Sequence, residues 1–312
     1  MKTHSYLSRL DATTRRAVIL YTAIVMLPAI LVILPFLWTS LNPALLNVVT
    51  PVFMWLPALA ALIAVKTVIR PASTARYLAM TPLRPLGRLL GAAGIVLAGA
   101  VALVSLTLIA SQALGFTRID VVEWSGYRTG DPTLTGEQAR SEVLRTLAML
   151  PLFIAGYLFL TTGEELGWRG FLHTALAPLG FWRTAAFTAG LWVIWHAPLL
   201  VTSAHLGDIP WRDAVATSTN LFLVSIVISA VRARSGSVWP AAFAHAMLNT
   251  VILFGFTAFR TPIDANDHAA FWGFTVVGWV AWLIAIAIAT VPWWKPKPGT
   301  QQHLKIEMEG ER

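Results

Sequence analysis

The sequence predicts an all-α, polytopic membrane protein of about eight transmembrane helices with both termini in the cytoplasm. Three observations predict it. Of 312 residues, 56% are hydrophobic and only 12% are charged, roughly half the charge of a soluble domain. The apolar residues gather in blocks of about 20, long enough for a helix to cross a bilayer core of about 30 Å. The segments between the blocks alternate in charge, as they must at each crossing if basic residues stay in the cytoplasm.

The blocks fall near 17–38, 44–65, 89–114, 147–172, 184–204, 215–231, 236–258 and 270–293. The basic arm before the first block (Lys2, Arg9, Arg15, Arg16) superficially suits a signal peptide. The block is too long for a signal h-region and no small-x-small site follows, so it reads as a retained span. Pro28, Pro35, Pro51 and Pro57 lie in the first two blocks, where neighbouring helices tolerate the kinks. With the N-terminus inside, the inner segments hold Lys66, Arg70, Arg76, Arg84, Arg88, Arg183, Arg232, Arg234, Lys295 and Lys297. Most acids fall outside, among them Asp120, Glu123, Asp131, Glu137, Glu142, Asp208, Asp213, Asp264 and Asp267. The net charge of +8 is then a topological signal, and no nucleic-acid partner is expected. The chain has no cysteine, which excludes disulfides and thiolate metal sites. Without internal repeats, it reads as one transmembrane domain over 1–294 and a polar cytoplasmic tail over 295–312.

Few ionisable residues lie inside the spans, and those few are informative, because a charge in the bilayer interior costs at least a few kcal/mol and normally serves a function. Glu164 and Glu165 are adjacent in the fourth span, followed by Arg169. His196 lies in the fifth, and His245 and Asn249 in the seventh. Counted from the inner ends of their helices, Glu164, His196 and His245 all sit roughly 13–20 Å deep. Acid and two imidazoles at one height predict a shared site. Glu165 and Arg169 have the favourable i,i+4 order of an intrahelical ion pair and read as a structural clamp. Glu164 points about 100° away and is left for chemistry. His245 and Asn249 are also four apart, on one helix face. His173 and His205 read as interfacial, and Trp293 and Trp294 beside Lys295 as interfacial anchors.

Glu164-Glu165-Leu-Gly-Trp-Arg169 resembles the EExxxR motif of the CAAX prenyl protease and bacteriocin-processing (CPBP) family of intramembrane endopeptidases. Trp192-Val-Ile-Trp-His196 resembles its second motif, FxxxH, with tryptophan in place of phenylalanine, and His245-Ala-Met-Leu-Asn249 its third, HxxxN. The motifs cover about 145–258, in order, on successive helices. The resemblance implies peptide hydrolysis by Glu164, His196, His245 and Asn249, supported by Glu165, Arg169 and Trp192. A desolvated glutamate can act as general base; His196 can orient the same water, and His245 and Asn249 can face the oxyanion.

No cofactor is expected. The competing reading is a zinc or other divalent ion on Glu164, His196 and His245 with water in the fourth position, although HExxH is absent. Expected partners are the lipid bilayer and a membrane-anchored or lipidated protein, in the cytoplasmic membrane of a bacterium. Two alternatives of other classes are a non-catalytic scaffold or immunity protein and a small proton-coupled transporter. A transporter often shows paired halves, and no second copy of the polar cluster exists in the sequence.

Overall fold

The computed structural model describes residues 10–33, 35, 45–83, 85–120, 128, 131–261, 263–264 and 266–291. The polar tail and the two tryptophans beside it lie outside these residues, as does the part of the first expected span beyond Pro35. Among the described residues there is no strand, and eight helices are long and apolar enough to cross a membrane. They are α1 Ala12–Leu31, α2 Val49–Ile69, α3 Leu86–Ala113, α4 Gly136–Ala175, α5 Phe181–Leu206, α6 Trp211–Ser235, α7 Val238–Ala258 and α8 His268–Thr290. All eight expected spans are present, so the chain is an integral, multi-pass membrane protein.

Local chemistry sets where the helices start and stop. Asp11 caps α1 by accepting from the Thr14 amide at 2.9 Å and the Thr14 hydroxyl at 2.6 Å, bonds that hold its carboxyl below the usual range. Helix α2 breaks at Met54–Trp55, just ahead of Pro57, because a proline ring clashes with the preceding turn. Gly207 and Gly236 close α5 and α6 at φ 81° and 69°, a left-handed conformation that favours glycine.

Helix α4 differs from expectation in length, beginning near 136 instead of 147. Thr135 and Gln138 form a reciprocal capping box, and Arg145 pairs with Glu142 one turn away. Capping and ion pairing sustain this extra length with few apolar residues, Ala139, Val143 and Leu144, so hydropathy alone does not mark it.

The bundle is organised around α7 and the basic end of α4. Helix α7 packs on α3, α4 and α6, while α4 is sandwiched between α2 and α7, and α1 covers α2 and touches α5. Residues 151–160 of α4 are largely exposed, whereas 161–173 are buried without interruption. Glycines permit that burial. A Cβ built on Gly163 would lie 2.6 Å from the Met54 carbonyl oxygen and 2.8 Å from Trp55 Cα; one on Gly167 would meet Pro57 and lie 2.6 Å from the Tyr21 hydroxyl. This Gly-xxx-Gly stripe lets α2 cross α4 at backbone contact. Gly163→Ala should therefore cost about 1–3 kcal/mol, read as a lower melting temperature in detergent. An unchanged melting temperature would contradict so close a crossing.

At the basic end of the bundle, arginines tie helices together through backbone carbonyls. Arg234 donates to Ala289 O of α8 at 2.6 Å, Arg88 to Arg234 O of α6 at 2.7 Å and Arg232 to Arg169 O of α4 at 2.9 Å. Cations at such helix ends offset unpaired carbonyls and the helix dipole.

Candidate active site

Immediately after Glu165, α4 widens into a π-helical segment, Leu166–Leu172, and α7 does the same at Leu248–Ile252. Such wide turns are rare and cluster at functional sites. Here they carry Arg169 and Asn249.

Glu165 is fully buried, with two bonds on one carboxylate oxygen and none on the other among the described residues. Its Oε1 accepts from Arg169 Nη1 at 2.8 Å and from His245 Nδ1 at 2.9 Å. Arg169, also fully buried, donates its other terminal nitrogen to Ser225 of α6, at 2.7 Å to Oγ and 3.1 Å to the carbonyl. The clamp expected within α4 is therefore present and larger than expected, joining α4, α6 and α7. A carboxylate only accepts, so His245 must donate from Nδ1. Its bond goes to Glu165, and among the described residues none joins it to Asn249, which is half-buried one turn further along α7.

Glu164, 2% exposed, points to α5, where Trp192 Nε1 donates to its Oε2 at 2.9 Å. Its Oε1 has no hydrogen bond among the described residues and is the oxygen left for another partner. His196 donates from Nδ1 to the Trp192 carbonyl at 2.8 Å, one turn back, which leaves Nε2 as an acceptor in the neutral ring. His196 interacts electrostatically with both Glu164 and His245.

Trp192 is the hub of the site. Its ring meets His196 and His245 edge-on, each at 5.1 Å between centroids, and the Arg169 guanidinium lies 5.1 Å above it. The substitution of tryptophan for the motif's phenylalanine is thus more than a packing change, because its N–H holds one oxygen of Glu164. Trp192→Phe keeps the ring but leaves that oxygen without a partner, at a cost of about 1–3 kcal/mol. Trp192→Ala also removes the packing beneath four polar groups and should cost about 3–5 kcal/mol. Denaturation midpoints of both variants in detergent check that order.

Six of the seven expected residues thus meet in one network, buried except at the half-buried His196, and Asn249 lies beside it on α7. Tyr21 of α1 was not anticipated: it is fully buried, within electrostatic reach of Arg169, Glu165 and Glu164, and edge-on to Trp168 at 5.7 Å. Ser225 was also missed, since a serine within an apolar span has no distinguishing pattern. The Gly163-xxx-Gly167 stripe that brackets the acids is visible in the sequence and could have shown where α4 is most tightly packed. His173, expected at an interface, is 8% exposed because α4 continues through it to Ala175. His205 is exposed in the last turn of α5, as expected. Among the described residues, no three His, Asp or Glu side chains are grouped to hold a metal ion. Both histidines donate from Nδ1, to the Trp192 carbonyl and to Glu165, the tautomer that leaves Nε2 of each neutral ring as an acceptor.

Fold and site together define a polytopic membrane protein with a desolvated acid–imidazole centre. Residues 146–251 match the family model described as Type II CAAX prenyl endopeptidase Rce1-like, which supports the CAAX protease (CPBP) family read from the three motifs. The match contains all seven site residues, while α1, α2, α3 and α8 lie outside it. No curated protein matches the chain.

Proposed function

We propose that this chain is a glutamate-dependent intramembrane endopeptidase that cleaves membrane-associated peptides near the cytoplasmic face. The observation that carries this reading is the division of labour between adjacent acids. Glu165 is tied into a charged clamp by Arg169 and His245, both on its Oε1, whereas Glu164 has no ion pair among the described residues, meets the neutral Trp192 N–H alone and lies within electrostatic reach of His196.

In this mechanism the hydrolytic water lies between Glu164 Oε1 and His196 Nε2, each accepting one of its protons. As the water oxygen bonds to the peptide carbonyl carbon, Glu164 takes the proton. The carbonyl oxygen becomes an oxyanion facing His245 and the Asn249 amide. His245 can donate from Nε2 only as imidazolium, with Glu165 as its counter-ion. Collapse then breaks the C–N bond, and Glu164 returns the proton to the leaving amine. No step requires a metal ion. The test is cleavage of a membrane-tethered peptide by the purified protein in lipid vesicles, with the product bond assigned by mass spectrometry.

The cytoplasmic assignment rests on loop charge. Reporter fusions in a bacterial host should place the 66–88 segment and the C-terminus inside and the 115–146 segment outside. An external C-terminus would overturn the orientation, and with it the cytoplasmic placing of the site, which lies toward the basic end of the bundle. The substrate class proposed, an anchored or lipidated protein in the cytoplasmic membrane of a bacterium, rests on the resemblance to the CAAX protease family.

A further inference from the structure

Helices α3 and α4 both pack on α7 but barely touch each other. The wedge between them holds a cavity of about 460 Å³ lined by Leu97, Val101 and Leu108 of α3, Leu150 and Ile154 of α4 and Phe254 of α7, among others. Ser105 supplies the only polar side chain in the lining. From Leu97 to Ile109 the α3 wall runs roughly 18 Å, more than half of the bilayer core. A cavity so apolar offers water no partners, so its natural occupant is a hydrocarbon chain within one leaflet.

The groove is separate from the site described above. Its α7 floor is the face of Val251, Phe254, Gly255 and Phe259. Asn249 precedes Val251 by two residues, about half a turn, and faces the other way. The groove therefore does not continue the path of a peptide to Glu164.

Two arginines adjoin one end of the groove in sequence. There the chain end of α3 pairs with the end of α7 through an antiparallel bridge between Ile119 and Arg260, with Thr261 donating to Arg118 O at 2.9 Å. Ile119 and Phe259 line the groove, so Arg118 and Arg260 each adjoin a lining residue. The Arg118 side chain is exposed and has no hydrogen bond among the described residues. Arg260 stacks 4.8 Å over Phe274, and its Nε is buried without a partner. The neighbouring Asp120 already has an interaction of its own.

We propose that this groove binds one acyl chain of an anionic phospholipid from the leaflet nearer the α3–α4 connection, with the lipid phosphate on Arg118 and beside Arg260. This assignment is independent of the peptidase reading.

Native mass spectrometry of the detergent-purified full chain, titrated with dioleoyl phosphatidylglycerol or dioleoyl phosphatidylcholine, tests it. One phosphatidylglycerol should be retained per chain, at least tenfold more strongly than phosphatidylcholine. Arg118→Ala should reduce that preference to under threefold while leaving phosphatidylcholine binding unchanged. Ser105→Trp and Leu150→Trp, which fill the groove from opposite walls, should each abolish the retained lipid, whereas Leu152→Trp on the exposed face of α4 should not. A diazirine-labelled acyl chain should crosslink to α3, α4 and α7 in the wild type, a readout that stands even if a filling variant folds poorly. Retention unaffected by both filling variants, equal binding of the two lipids, or crosslinks confined to other helices would each overturn the proposal.

Discussion

Glu164→Gln is expected to insert and fold like the wild type and to lose cleavage of a membrane-tethered peptide completely. The amide keeps the shape of the carboxylate and can still meet Trp192 Nε1 through its oxygen, so the packing around the hub is preserved. What disappears is the proton acceptor, without which water at neutral pH is a poor nucleophile. Asn249→Ala should behave differently, leaving a residual rate about 100- to 1,000-fold lower, because it deletes one oxyanion donor and not the activator of the nucleophile. Dialysis of the wild type against a chelator should leave its activity intact. Activity lost to chelation and restored by zinc would replace the glutamate mechanism with a metal one while keeping the peptidase. A Glu164→Gln variant that still fulfils the cellular role of the protein would point instead to a scaffold.

The second large effect concerns stability. Arg169→Ala leaves Glu165 with His245 alone and opens a cavity above Trp192; Glu165→Gln leaves a buried guanidinium without its counter-ion. Either should cost about 3–5 kcal/mol and show as a loss of folded yield and a lower melting temperature in detergent. The double variant Glu165→Leu with Arg169→Leu should recover much of that loss, since apolar residues of similar volume often replace a buried pair without penalty. It should remain inactive, because His245 has lost the acceptor that fixes its ring. Normal stability in both single variants would refute the clamp.

The sequence made the spans and most of the site legible for a single physical reason. In a bilayer each crossing needs about 20 apolar residues, and each polar exception is costly enough to be meaningful. Glu164, Glu165, Arg169, His196 and His245 stood out against that background. What depended on three-dimensional crossing was hidden. Tyr21 is the single aromatic of α1, but no spacing relates it to α4, and only the approach of α1 to Gly167 makes it a neighbour of the acids. The bond between His245 and Glu165 was equally hidden, since the two lie 80 residues apart and only the packing of α7 on α4 brings them within 2.9 Å. The extra length of α4 was invisible to hydropathy because it is held by polar bonds.

The wide turn at Leu166–Leu172 also acts as a slip joint in α4. One residue more than a regular turn requires amounts to a phase shift of about 100° between the two ends of the helix. The acids at 164 and 165 can then keep the bearing set by α5 and α7, while His173 and Thr174 take the bearing set by α6. The carbonyl of Arg169, inside the joint, is the one that Arg232 grips. Deleting a residue there would do more than shorten the helix: it would force one rotational setting on both ends, and either the acids or the α6 contacts would lose their alignment. The number of residues in this segment is therefore as much a part of the site as their identity.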